Sequence, residues 1–143
     1  MVTKVKTVHT PDLSMKHYQS LFEAAVPAGF PSPAADYEED KLDLNRHLIK
    51  NPAASFFVRV SGDSMEGAGI HHGDLLVVDR SIGPRDKNVV IAVINGELTV
   101  KRIKIRNKKI ILEPENGDFP AQEITEDTQF EVWGVVTSVI HKL

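Results

Sequence analysis

The sequence predicts a mainly β protein, a small antiparallel β-domain preceded by an extended N-terminal arm. Short apolar runs typical of strands recur from residue 55 to the C-terminus. Gly, Asn and Pro residues separate these runs, as turns do in antiparallel sheets. Residues 26–35 contain three prolines and a glycine, which exclude a helix and disfavour a central strand.

Six apolar runs define the expected strands. They lie at residues 56–60, 74–78, 89–94, 98–105, 110–112 and 130–140, and the last run contains one or two strands. The third run is continuously apolar, which predicts burial on both of its faces. Asn95-Gly96 is the strongest short hairpin signal, and Asn107-Lys108 predicts a second turn. Gly134 predicts a bend or bulge within the last run.

The first part of the chain is more polar. Residues 17–25 could form a short helix, whereas Asp43 in front of Leu44 and Leu48 predicts a capped helix that ends at Asn51-Pro52. We therefore predict an arm over residues 1–38 and a β-domain over residues 39–143.

Composition excludes several classes of protein. The 143 residues carry a formal net charge of −3 and no cysteine, which excludes disulfides, a thiol nucleophile and a thiolate metal site. The mild acidity argues against a protein whose whole surface binds nucleic acid. Residues 1–20 lack an apolar run of signal-peptide length, and no segment approaches a membrane span, so we expect a cytoplasmic protein.

A serine in a glycine-containing turn is the first candidate for chemistry. Residues 61–65, Ser-Gly-Asp-Ser-Met, come directly after a predicted strand. A serine at a strand end can project its hydroxyl into a cleft, where neighbouring backbone N–H groups can point toward an oxyanion. The same residues are also common in ordinary turns. From the residues alone both interpretations stay open.

A lysine in an apolar row is the second candidate. Strand alternation places Lys101 on one face with Ile103 and Ile105, and the other basic residues of the strand on the opposite face. Burial would lower the pKa of Lys101 and make it a possible general base. The alternative is a lysine that extends to solvent from a sheet edge. A Ser64–Lys101 dyad is thus a hypothesis that spacing alone does not decide.

Several motifs in a fixed order give the chain a resemblance to a known family. They lie at residues 29–37, 43–45, 61–65, 73–79, 96–102 and 114–116. In this order they resemble the LexA/UmuD family of self-cleaving serine peptidases (peptidase family S24), and within it the UmuD-type mutagenesis proteins. The resemblance runs from about Gly29 to the C-terminus. It implies a β-domain of the LexA C-terminal, signal-peptidase-like type.

The resemblance also implies roles for particular residues and partners. Ser64 would be the nucleophile, Lys101 the general base, and the Ala28–Gly29 bond the site of self-cleavage. The backbone N–H groups of Asp63 and Ser64 would bind the oxyanion. Members of this type form homodimers, and a RecA–single-stranded DNA filament stimulates their cleavage. The shortened dimer then joins a Y-family polymerase subunit for translesion synthesis in the SOS response.

Three other interpretations remain. A non-catalytic β-domain could bind a polymerase or RecA without cutting itself. A LexA-like regulator would need a DNA-binding domain, for which the 28 residues before Gly29 are too few. A signal peptidase would be expected to carry a membrane anchor.

We expect no cofactor and no metal. No phosphate-binding or dinucleotide-binding fingerprint occurs, and the adjacent His71 and His72 lack a zinc-type pattern, which favours a solvated turn. The basic residues between 101 and 109 favour an exposed sheet edge over direct DNA binding.

Overall fold

The computed structural model describes residues 2–14, 18–22 and 38–143. The strands are β1 (Lys4–His9), β2 (Tyr18–Phe22), β3 (Glu38–Asp43), β4 (Ser55–Ser61), β5 (Leu75–Asp79), β6 (Val89–Ile94), β7 (Glu97–Arg106), β8 (Lys109–Glu113), β9 (Gln122–Ile124) and β10 (Phe130–Ile140). All their pairings are antiparallel, which confirms the predicted class. Within these ranges, no helix combines the length and the apolar character that crossing a membrane requires.

The chain separates into two compact units. One comprises Met1–Pro11 and Asn51–Leu143, and the other comprises Asp12–Lys50. In the second unit β2 pairs with β3, which is followed by helix α1 (Leu44–Leu48). The Asp43 side chain accepts a hydrogen bond from the Asn45 N–H, so the predicted N-cap is confirmed.

The prediction of a possible helix over residues 17–25 is wrong for the residues of that segment that the structure describes. Tyr18–Phe22 forms a strand, because pairing with β3 overrides a weak helical pattern in a short segment. The rest of that segment and the Ala28–Gly29 bond lie outside the described residues.

The first unit is a closed barrel. Its six strands follow the order β1-β4-β5-β10-β6-β7, and pairing between β1 and β7 closes the ring at Lys4 and Thr99. Strands β8 and β9 extend the sheet beyond β7. Closure pairs the two ends of the six-strand ring, and the extension ends in an open edge along β9.

Apolar residues fill the barrel unit in two clusters. The first consists of Val58, Val60, Met65, Ile70, Leu76, Val78, Ile91 and Val100. The second consists of Val90, Ala92, Ile103, Leu112 and Val135. Successive residues of β6 enter different clusters because strand side chains alternate between faces, which confirms the predicted burial of this strand on both sides.

The predicted turns and bulge are also present. Asn95 and Gly96 have φ angles of 49° and 83°, as the tight hairpin turn between β6 and β7 requires. Strand β10 is irregular between Val132 and Gly134. A Cβ on Gly134 would stand 2.6 Å from the Val78 Cγ1 atom, so this position requires glycine.

Candidate active site

The loop that follows β4 (residues 62–68, the serine loop) carries Ser64 into the interior. Gly62 has a φ of 101°, a backbone conformation that favours glycine. Ser64 and Met65 are both fully buried, and the Met65 side chain belongs to the first apolar cluster. Because the Met65 side chain is anchored in the apolar core, the position of the neighbouring Ser64 is fixed as well.

The segment that follows β8 holds this loop from the other side. The Asn116 amide donates a hydrogen bond to the Asp63 carbonyl oxygen at 3.1 Å. The Gly67 N–H donates to the Glu115 carbonyl oxygen at 2.7 Å. The sequence motif at residues 114–116 thus has a positioning role that the sequence alone did not reveal.

The N-terminal residues reach the candidate nucleophile. The Thr3 N–H donates a hydrogen bond to the Ser64 Oγ at 2.7 Å. The carbonyl oxygen of Thr3 accepts a hydrogen bond from the Val100 N–H at 3.1 Å. Thr3 therefore connects the Ser64 side chain to strand β7.

Lys101 lies in the middle of β7, opposite Val90 of β6. Only 8% of the residue is exposed, and it shares its face of the strand with the buried Thr99 and Ile103. Desolvation by burial lowers the pKa of its ammonium group. No carboxylate among the described residues forms an ion pair with it. The site therefore favours a neutral amine more than an exposed lysine would.

Two connections join the serine loop to the strand that carries Lys101. Thr3 links Ser64 to Val100, because its N–H binds the Ser64 Oγ and its carbonyl oxygen binds the Val100 N–H. Glu115 links Gly67 to Arg102, because its carboxylate forms an ion pair with the Arg102 guanidinium. Both neighbours of Lys101 in the chain are thus bound to groups that hold the serine loop. The dyad and the oxyanion role of the Asp63 and Ser64 N–H groups remain predictions.

Potential metal ligands occur after the serine loop. The side chains of His71, Asp74 and His141 bring donor atoms within 4.8 Å of one another. His72 instead accepts a hydrogen bond on its Nδ1 from the Gly62 N–H at 3.2 Å.

Comparison with known proteins gives consistent matches along most of the chain. A family model described as Peptidase S24-like matches residues 20–137. The chain is 50% identical to Protein SamA of Salmonella typhimurium over 122 residues, which cover 85% of this chain and 84% of SamA. It is 48% identical to Protein ImpA of Shigella flexneri over 126 residues, 88% of this chain and 86% of ImpA. It is 42% identical to Protein MucA of Escherichia coli over 135 residues, 94% of this chain and 92% of MucA.

Proposed function

Since the chain belongs to the Peptidase S24-like family, as a protein of the UmuD type, we propose that it is a self-cleaving serine endopeptidase. Ser64 is the nucleophile, Lys101 is the general base, and the Ala28–Gly29 bond is the substrate. The observation that supports this proposal best is the burial of Lys101, whose pKa is lowered by desolvation on a strand joined to the serine loop.

The proposed reaction begins with a neutral Lys101 amine. It takes the proton of the Ser64 hydroxyl as Oγ attacks the carbonyl carbon of Ala28. The N–H groups of Asp63 and Ser64 stabilise the oxyanion of the tetrahedral intermediate. When the Ala28–Gly29 bond breaks, the lysine ammonium returns the proton to the amine of Gly29. Water then hydrolyses the ester between Ser64 and Ala28, with Lys101 again as the base.

A substrate on the same chain removes the need for a deep substrate pocket. A tethered segment has a high effective concentration near the nucleophile, so weak docking is sufficient for cleavage. Regulation then acts on how often the segment docks, and a partner that stabilises the docked state accelerates the reaction.

The biological part of the proposal follows from the likeness to UmuD-type proteins. The chain acts in the cytoplasm in the SOS response as a homodimer, and a RecA–single-stranded DNA filament stimulates its cleavage. The cleaved dimer serves as an accessory subunit of a Y-family translesion polymerase. The likeness to SamA, ImpA and MucA over more than four-fifths of the chain supports these assignments.

Mass spectrometry of the purified chain tests the peptidase proposal. Incubation at mildly alkaline pH is expected to yield fragments of 28 and 115 residues from the 143-residue chain. Ser64→Ala and Lys101→Ala are expected to stay intact. Ser61→Ala alters the serine that ends β4, and Lys104→Ala alters a lysine of the same strand as Lys101; both variants are expected to cleave normally.

Two results would contradict the peptidase proposal. A wild-type chain that stays intact under all conditions, with RecA filament included, would favour the non-catalytic binding domain. Cleavage that persists in both Ser64→Ala and Lys101→Ala would exclude the dyad. The partner proposal has its own readout, because a cleavage rate unchanged by the filament would contradict RecA stimulation and leave the dyad intact.

A further inference from the structure

Three side chains with metal-binding donors converge at one end of the β5–β10 pair. Leu75 pairs with Ile140 in the register of these strands. Asp74 and His141 flank that pair, and His71 lies in the turn that leads into β5. Antiparallel pairing thus brings His141 close to Asp74 although the two are far apart in sequence. For this reason no local sequence motif indicates the cluster.

The donor atoms lie close enough together to converge on a small cation. The His141 Nδ1 and the Asp74 Oδ1 share a hydrogen bond of 2.5 Å, which a bound ion would replace, and the His71 Nδ1 lies 3.8 Å from the Asp74 Oδ2. All three ligand atoms fall within 4.8 Å of one another. Tetrahedral zinc, with bonds of about 2.0–2.2 Å, needs donors about 3.3–3.5 Å apart. Small side-chain movements would therefore bring the three donors to the required spacing.

Asp74 is held in place as a ligand would need to be. Its side chain is only 2% exposed, and its Oδ2 accepts a hydrogen bond from the His71 N–H at 2.7 Å. Each carboxylate oxygen has two lone pairs, so Asp74 can keep this hydrogen bond while it binds an ion. Such a supporting bond fixes the orientation of the carboxylate.

The two histidines are accessible from solvent. Their side chains are 46% exposed for His71 and 43% for His141, and their ring centroids lie 4.8 Å apart. A cavity of about 180 Å³ adjoins Asp74 and His141. An ion can therefore reach the cluster without any opening of the barrel.

We propose that His71, Asp74 and His141 form a binding site for Zn²⁺, with water in the fourth position. Two imidazoles and one carboxylate are a common ligand set for this ion, whereas calcium and magnesium prefer oxygen ligands alone. Arg59 and Lys142 also line the cavity, but both are exposed, and solvent and salt screen their repulsion of a cation.

Zinc at this position would connect the end of β10 to the turn before β5. His72 lies in the same turn and accepts the hydrogen bond from Gly62, two residues before Ser64. The ion would thus brace the turn that supports the serine loop. The binding itself does not depend on the peptidase proposal, so the two can fail separately.

Calorimetric titration of the full chain with zinc chloride, with no affinity tag and after removal of bound metal by a chelator, tests the site. The wild-type chain is expected to bind one Zn²⁺ ion, and the ion is expected to raise its melting temperature. His71→Gln, His141→Gln and Asp74→Asn are each expected to weaken binding at least tenfold and to lose the thermal shift. Asp74→Asn retains the shape of the side chain and removes its charge.

Two histidine variants serve as matched controls. His72→Gln alters the neighbouring residue of the same turn, and His9→Gln alters a histidine on β1. Both are expected to bind zinc like the wild-type chain. The proposal is overturned if the wild-type chain binds no stoichiometric zinc, or if the three ligand variants bind as tightly as it does. It is overturned equally if His72→Gln weakens binding as much as His141→Gln does. Circular dichroism of the metal-free variants establishes that each is folded.

Discussion

The backbone N–H of Thr3 donates a hydrogen bond to the Ser64 Oγ at 2.7 Å. Thr3 is fully buried, so the N-terminal segment fills the space directly beside the proposed nucleophile. The fit of this segment is imperfect, because the hydroxyls of Thr3 and Thr99 are buried without a hydrogen-bond partner among the described residues. Each unpaired buried hydroxyl costs about 1–3 kcal/mol. A better-fitting segment could therefore displace Thr3.

Weakening the contact between Thr3 and Ser64 should accelerate self-cleavage. Thr3→Pro removes the N–H that binds the Ser64 Oγ and leaves the carbonyl oxygen that accepts from Val100. A single neutral hydrogen bond contributes about 0.5–1.5 kcal/mol, which predicts a cleavage rate about two- to thirteenfold higher. The rate is measured by gel densitometry of the intact chain over time.

Thr3→Ala is the matched control, because it shortens the same side chain and keeps the N–H. It should cleave more slowly than Thr3→Pro and no faster than the wild-type chain, because it keeps the bond to the Ser64 Oγ and removes an unpaired hydroxyl. A Thr3→Pro chain that cleaves more slowly than wild type would show that the contact orients Ser64 and does not obstruct it.

The rate of self-cleavage should rise with pH because the base must be neutral. Burial lowers the pKa of Lys101 from its ordinary value of 10.5. Below the lowered pKa, the neutral fraction and the rate should both change tenfold for each pH unit. Above it, the rate should reach a plateau before pH 10.5. A rate that does not depend on pH across this range would argue against Lys101 as the base.

The same lowered pKa predicts how stability depends on pH. Between the folded and the unfolded pKa of Lys101, the unfolded chain binds more protons, so the free energy of unfolding rises with pH. Below the folded pKa, the full penalty of a buried ammonium is present. In a Ser64→Ala background, the Lys101→Met chain should therefore have a higher free energy of unfolding at pH 7 than the chain that keeps Lys101, and this difference should shrink as pH approaches 10.5. Urea unfolding of the two chains at several pH values measures the difference. A difference that grows with pH would contradict the prediction.

The sequence predicted the strands of the barrel that carry strong apolar patterns. Strand β6 is continuously apolar, and the Asn95-Gly96 turn that follows requires the positive φ angles that these two residues tolerate. Alternation in β7 placed Lys101 on one face with Ile103 and Ile105 and left the burial of that face open; in the structure Lys101 and Ile103 are buried and Ile105 is exposed. These elements are predictable because local propensity and burial agree in them.

The sequence did not predict β1 or the supporting role of Glu115 and Asn116. In β1 only Val5 is partly buried, so the strand lacks an apolar alternation and depends on pairing with distant β4 and β7. The hydrogen bonds of Glu115 and Asn116 to the serine loop connect residues about fifty positions apart in the chain. Contacts of this kind follow from tertiary packing and leave no periodic signal.

The close approach of Gly67 to Glu115 should make this glycine essential. A Cβ on Gly67 would lie 2.5 Å from the Glu115 carbonyl oxygen, a backbone atom that cannot move without shifting the segment that holds the serine loop. Gly67→Ala should lower the free energy of unfolding by about 1–3 kcal/mol and slow self-cleavage. Gly117→Ala is the control, since its Cβ would meet no atom within 4 Å. Urea unfolding and cleavage rates compare them, and equal behaviour of the two variants would contradict the prediction.

Replacing a buried hydroxyl that has no partner should stabilise the barrel. The Thr99 Oγ1 is buried and unpaired within the described part of the chain, so Thr99→Val keeps the β-branched shape and should raise the free energy of unfolding by about 1 kcal/mol. Thr137→Val serves as the opposite case, because the Thr137 hydroxyl has a partner. It donates a hydrogen bond to the Val77 carbonyl oxygen at 3.3 Å, beside the bulge between Val136 and Ser138, and loss of this bond should lower the free energy of unfolding by about 0.5–1.5 kcal/mol. Urea unfolding in a Ser64→Ala background measures the free energy of unfolding of both variants. Destabilisation by Thr99→Val would contradict the prediction and show that its hydroxyl has a partner in solution, such as a water molecule.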